Sequence, residues 1–283
     1  MTEITEKAML VRLHIRQWSA SKNDKKVTHK VEQAYNAQNT GRFNKRLVAE
    51  EAIKKVAKTA NEARKFHYDN TLPWGDDGSR ILLSKNYLSY TSKMQALKSG
   101  FEVTVGEFIA NYSALVEDAR QRLKGMFNPG DYPDGSRIQK KYTFEVSIDP
   151  LPSEADFRVT LQDEEVERIK ERIKTRNRLA YQEAMADVWQ RLYKSVKHMA
   201  DRLQEADGVF RNTLVSNLCD LCALLPRLNL SDSQKLETMR RTVEKKLCRF
   251  APGELRRDQK KRFQVATDAT AILDVMKGYM DHG

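Results

Sequence analysis

Cys219-Asp220-Leu221-Cys222 has the spacing used for zinc binding or disulfide exchange. A structural zinc site needs four ligands, and no second pair accompanies this one: Cys248 and His198 stand alone. A redox pair usually opens a helix after a strand. This pair lies inside the apolar run LVSNLCDLCALL, so it reads as buried core cysteine. The histidines His14, His29, His67, His198 and His282 form no HExxH or HxH pattern, so none reads as a general base. No GxxxxGK[ST] loop, GxGxxG turn or GxSxG elbow occurs. Asp76-Asp77, bracketed by Gly75 and Gly78, could hold Mg²⁺ with water and serve a metal-dependent nuclease. An Asp-Gly turn explains the same residues without a metal, and Asp131 and Asp134 around Pro133 read the same way. The expectation is no catalytic residue, no metal, no cofactor and no enzymatic activity.

The residues that do point to a partner are lysine and arginine. The chain of 283 residues carries a net charge of +11. Residues 22–66 hold 12 Lys/Arg against 5 Asp/Glu, and residues 240–262 hold 10 against 3. Such clusters attract polyanions, so nucleic acid is the default partner, bound through its phosphates and not by base readout. The residues expected to carry this are Lys54, Lys55, Lys58, Lys245, Lys246, Arg256, Arg257, Lys260 and Arg262. Charge alone does not separate DNA from RNA. The rival expectation is a protein–protein adaptor, a self-assembling coiled coil or an inhibitor of a host defence complex, since a basic surface also fits an acidic protein.

These cations must be carried by regular elements. Val11, Leu13 and Ile15 alternate with Arg12, His14 and Arg16, which predicts a strand over 9–18. After the loop SKNDKK, residues 27–68 read as helices broken near Gly41. Residues 71–80 read as a turn-rich insert, and 103–126 as one amphipathic helix. Tyr142, Phe144, Val146 and Ile148 alternate as a second strand, and Phe157–Leu161 reads as a third. Asp163-Glu164-Glu165 opens a long helix running to about Glu205, with acids at its positive end. Its stripe runs from Val166, Ile169 and Ile173 to Leu203, and its charge is nearly balanced, 10 basic to 9 acidic. Further helices are expected over 209–225, ended by Pro226, over 232–249 with a Ser231/Gln234 capping box, and after Pro252-Gly253.

The fold class expected is mainly α: long antiparallel helices in a coiled-coil-like bundle, carrying a small α+β insertion. Residues 1–162 would hold helices and the three-stranded sheet, and 163–283 the long-helix bundle, the whole forming either two domains or one continuous elongated one. Three cysteines, Cys219, Cys222 and Cys248, do not make a secreted disulfide framework. The start MTEITEKAML lacks the basic and apolar regions of a signal peptide, and no apolar run is long enough to span a membrane. The expected setting is the reducing cytoplasm of a bacterial host cell.

The layout resembles a family of helical proteins encoded by phages and integrative elements. The resemblance rests on the opening strand with Trp18, the Leu72-Pro73-Trp74…Asp77-Gly78-Ser79-Arg80 loop and the Phe127…Tyr132-Pro133 turn. The Phe144…Pro150-Leu151-Pro152…Asp156-Phe157-Arg158-Val159 segment then leads into the long charged helix. It covers roughly residues 9–205 and transfers no catalytic residue. Genes of that family tend to lie beside those of MoxR-like AAA+ ATPases. The resemblance therefore implies a mobile-element protein working with DNA, a nucleoprotein complex or a ring ATPase.

Overall fold

The computed structural model describes residues 4–75, 77–156, 159, 162–205 and 210–280. Among these the chain is mainly α-helical. In order it forms α1 (Ile4–Lys7), β1 (Ala8–Arg16), β2 (Ser21–Asn23), α2 (Lys25–Ala34), β3 (Asn44–Arg46) and α3 (Glu50–Asn70). Next come β4 (Leu72–Pro73), β5 (Arg80–Leu83), α4 (Tyr87–Ala110), α5 (Tyr112–Leu123), α6 (Gly135–Gln139) and β6 (Thr143–Pro150). The rest is helical: α7 (Asp163–Gln204), α8 (Thr213–Leu228), α9 (Gln234–Leu247), α10 (Pro252–Arg257) and α11 (Gln259–Met280). The chain divides into two units, a helical one of residues 1–12, 68–88 and 148–283, and a mixed one of residues 13–67 and 89–147.

The strands expected over 9–18 and 142–148 are β1 and β6, neighbours in a four-stranded sheet of order β4-β5-β1-β6. The third expected strand, 157–161, falls almost wholly outside the described residues. The sheet instead gains β4 and β5 from the segment read as a turn-rich insert. β5 pairs antiparallel with β1 (Ala8 opposite Leu83) and with β4 (Leu72 opposite Ile81). Ile81, Leu82 and Leu83 are all buried, so this strand is covered on both faces and lacks the alternation that betrays a half-exposed one. The lysine-rich loop likewise contains a strand, β2, paired antiparallel with β3.

In the helical unit, α7 packs on α8, α9 and α11. Ala180, Ala184, Val188, Leu192, Val196, Met199 and Leu203 form its buried stripe, each three or four residues from the last. The expected stripe is only partly used. Val166, Ile169 and Ile173 are half-buried, and no residue from 163 to 179 is fully buried. That stretch instead pairs its own charges, as in Lys170–Glu167 at 2.8 Å. α11 runs back along α7: Arg262 meets the carbonyl of Leu203, while Tyr279 packs on Trp189.

Several boundaries differ from expectation for identifiable reasons. The helix expected over 103–126 breaks at Asn111, whose side-chain amide donates to the Glu107 carbonyl in competition with the backbone. The cap of α9 is Ser233, whose hydroxyl accepts the Leu236 N–H; Ser231 does not cap it. Pro226 does not end α8 but lies inside its last turn, and the helix runs on to Leu228. Pro252 opens α10 at the first helical position, and does not merely separate two helices.

The cysteines also differ from expectation. Cys222 is buried in the core, as expected, but Cys219 is bonded to Cys248. Packing of α8 on α9 brings Cys219 beside the residue that ends α9, with the two Cα atoms 5.9 Å apart. Burial pushes the Cys222 thiol up to about 12, which makes it a poor nucleophile. No helix among the described residues is long and apolar enough to cross a membrane.

The mixed unit has an aromatic core. Trp18 packs on Phe108 and Tyr112, and Phe101 on Tyr142 and Phe144. The same unit holds a buried charge cluster. Asp131 accepts from Lys45 and Lys22, each at 2.7 Å, and the Lys45 ammonium also reaches the Met126 carbonyl at 2.7 Å.

Candidate nucleic-acid interface

The nine cations expected to bind phosphate divide between the units. Lys54, Lys55 and Lys58 are exposed on α3 of the mixed unit, opposite its buried face of Val56, Ala60 and Ala63. Lys55 lies 3.7 Å from Glu107, and Lys58 lies 3.9 Å from Glu62. Both are loose pairs between exposed groups, which contribute little. Lys54 has no ion-pair partner among the described residues.

The other six belong to the helical unit, and three of them are engaged in the fold. Arg256 donates to the Phe210 carbonyl at 2.9 Å and to Asn212 Oδ1 at 2.6 Å. Arg262 donates to the carbonyls of Leu203 (3.1 Å), Arg202 (3.3 Å) and Glu205. These are end-of-helix carbonyls of α7, the orphan acceptors that a cation is suited to satisfy. Both guanidinium groups also cover the Phe210 ring, at 5.2 and 5.6 Å from its centre. Lys246 pairs with Asp268 at 3.2 Å, beside Arg249 at 3.0 Å. Lys245, Arg257 and Lys260 remain exposed and have no ion-pair partner among the described residues.

The neighbouring cations on α9 are neutralised in the same manner. Glu237 accepts from Arg240 at 2.8 Å and from Arg241 at 2.7 Å. The Arg240 hydrogen bond, helped by Arg241 against the cost of burial, pulls the Glu237 carboxyl down to about 2.

Two features of this unit escape a reading of the sequence. Phe263 stands 74% exposed on α11, one helical turn beyond Lys260, where helical spacing alone would have placed it in the core. The second is a cleft of about 520 Å³ between α7 and the start of α8. Lys194, His198 and Arg202 line one wall, at successive turns of α7; Arg211, Thr213 and Asn217 line the other. Its apolar lining comes from Leu214, Leu218 and Phe210. The i, i+4, i+8 spacing of Lys194, His198 and Arg202 is visible in the sequence. The overall charge balance of the long helix hides it.

The acidic motifs have local roles. Asp77 accepts the Ser79 N–H at 2.9 Å, which with the Ser79 hydroxyl holds its carboxyl below the usual range, in a turn where Gly78 takes a φ of +80°. Its neighbour Asp76 lies outside the described residues. Asp134 caps α6 by accepting the Arg137 N–H at 2.9 Å. Among the described residues no group of three or more His, Cys, Asp or Glu is placed to hold a metal ion. Comparison with protein-family models, curated proteins and solved structures finds no match for this chain.

Proposed function

We propose that this protein binds nucleic acid without catalysing a reaction, through phosphate contacts on its helical unit, as part of a phage or mobile genetic element. The observation that carries the reading is the exposed Phe263 ring one turn from Lys260 on α11, with Arg257 on the preceding short helix and Lys245 on α9 free of ion pairs among the described residues. Cations that track a backbone and rings that stack on bases are the two parts of a single-strand binding surface. Arg256 and Arg262 enter as supports of that surface. The α7–α11 contacts favour an antiparallel, coiled-coil-like bundle as the rigid frame beneath it. A nucleoprotein complex or a MoxR-like AAA+ ATPase fits as the larger assembly served in the cytoplasm of a bacterial host.

The test is a salt titration of binding to random single-stranded and duplex oligonucleotides. The expected result is binding at low salt whose logarithm falls linearly with log[salt]. Phe263→Ala should weaken single-strand binding by about 1–3 kcal/mol and duplex binding much less. Absence of binding to either nucleic acid at low salt overturns the proposal.

A second reading, self-assembly or docking on an acidic protein, draws on α7. Val166, Ile169 and Ile173 have the 3-4 spacing of a coiled-coil seam and are only half-buried. Light scattering with and without nuclease separates the two: a nuclease-resistant oligomer lost in Ile169→Asp supports the second.

A further inference from the structure

We infer that the cleft between α7 and the start of α8 is a phosphate site that prefers the doubly charged terminal phosphate of a nucleic-acid strand to a bridging diester. Successive turns of a helix stand about 6 Å apart for four residues, so Lys194, His198 and Arg202 present three nitrogen-bearing side chains along one wall. Arg211 faces them with Thr213 and Asn217, which supply a hydroxyl and an amide donor. Among the described residues no carboxylate lines the cleft.

The contrast with the rest of this unit is what gives the cluster meaning. Arg240, Arg241, Lys246, Arg249 and Lys261 all meet a carboxylate within 3.2 Å. Lys194, His198 and Arg211 meet none among the described residues. Arg202 has one exposed contact, to Glu205 at 3.6 Å. Like charges gathered over an apolar lining repel one another, and the low-dielectric wall strengthens the field they share. An entering anion relieves that repulsion. In the same field a dianion gains twice the Coulomb energy of a monoanion. A terminal phosphate is a monoester and carries the second charge; an internal diester does not. Arg256 and Arg262 stay outside as ligands, because their donors are committed to backbone carbonyls, but their charges lie against the Phe210 ring that lines the cleft.

The inference rests on the nucleic-acid reading only for the source of the phosphate. The experiment is calorimetric titration at low salt with inorganic phosphate, a 5′-phosphorylated single-stranded oligonucleotide and the same oligonucleotide without its phosphate. It uses the full chain, the double variant Lys194→Glu/Arg211→Glu, and Lys174→Glu, on α7 but outside the cleft. Inorganic phosphate should bind the unaltered protein and bind the double variant at least about tenfold more weakly, the loss of one or two charge-assisted hydrogen bonds. Lys174→Glu should leave phosphate binding unchanged. The phosphorylated oligonucleotide should bind more tightly than its unphosphorylated twin, and that advantage should vanish in the double variant. Asn217→Asp, which adds one carboxylate to the wall, should reproduce the loss if the double variant melts early. No phosphate binding, or equal binding by all these variants, overturns the site. Equal affinity for the two oligonucleotides overturns the terminal preference. Phosphate binding with no oligonucleotide binding keeps the site, assigns it to a free phosphate compound and removes the nucleic-acid reading; oligonucleotide binding without phosphate binding does the reverse.

Discussion

The two units treat charge in opposite ways. The mixed unit buries it: Lys45 and Asp131 keep only 5% and 4% of their side-chain surface exposed, and meet at 2.7 Å. The helical unit keeps most of its charge at the margin of a continuous hydrophobic core that runs from Ala180 on α7 to Met276 on α11, with Arg240 and Glu237 only partly covered, and uses arginines to close helix ends. A buried pair fixes a unique arrangement but fails badly when one member is removed. A peripheral cation can be removed at little cost to the fold, so a surface built of such cations is free to serve a partner. The comparison places the fragile charge in one unit and the disposable charge in the other.

The largest effect should come from Asp131→Ala. It leaves Lys45 in the interior with the Met126 carbonyl as its close hydrogen-bond partner and Asp24 as a looser ion-pair partner at 3.6 Å. Removing one member of a buried pair costs about 3–5 kcal/mol. Chemical denaturation should register the loss, and hydrogen exchange should locate it in residues 13–67 and 89–147. The same carboxyl gives the unit an acid limit. Burial pushes its pKa up, but hydrogen bonds from Lys22 and Lys45 outweigh that and hold it below its ordinary value. A carboxyl depressed in the folded state stabilises fully above its unfolded pKa of about 3.9 and loses that contribution as pH falls below it. Stability that fell as pH rose through 5–7 would contradict this account. A smaller loss is expected in the other unit from Leu192→Ala, at the fully buried centre of the α7 stripe. Removing a core leucine costs about 3 kcal/mol, and here the exchange change should be confined to the helical unit. Equal effects of both variants across both units would dissolve the comparison.

The long helices are easier to read from sequence than the four-stranded sheet, for a physical reason. A helix that buries one stripe repeats its pattern every three or four residues, so α7 is visible from Asp163 to Gln204. β5 repeats nothing, because Ile81, Leu82 and Leu83 are all buried, and the strand pairs with β1, about seventy residues earlier in the chain. Pairing across that distance leaves no local periodicity. The Lys45–Asp131 pair is hidden in the same way, by 86 positions of separation. The candidate site is legible only in part. The excess of cations over 240–262 is plain in the sequence, but which of them remain available is not. Arg256 and Arg262 find their acceptors at Phe210 and Leu203, on segments some 46 and 59 residues away. The stripe of Lys194, His198 and Arg202 is legible as spacing, yet only the approach of α8 turns it into one wall of a cleft.

The smallest effects on stability should separate the supporting cations from the free ones. Arg262 donates to three carbonyls at the end of α7 and covers Phe210. Hydrogen bonds from a charged donor contribute about 1.5–3 kcal/mol when desolvated, and this guanidinium is only half-buried. Arg262→Ala should therefore cost about 1–2 kcal/mol, with early hydrogen exchange at the last turn of α7. Lys245, Arg257 and Lys260 hold nothing comparable. Replacing all three by alanine should change stability by no more than about 0.5 kcal/mol, because three positive charges leave a surface that already carries an excess of them. The same triple variant should lower the slope of log affinity against log[salt] for nucleic acid by up to about 3, near one for each phosphate that is no longer neutralised. If Arg262→Ala proved harmless while the triple variant unfolded the protein, the division into supporting arginines and available lysines would be inverted, and the binding surface would have to be sought on α3.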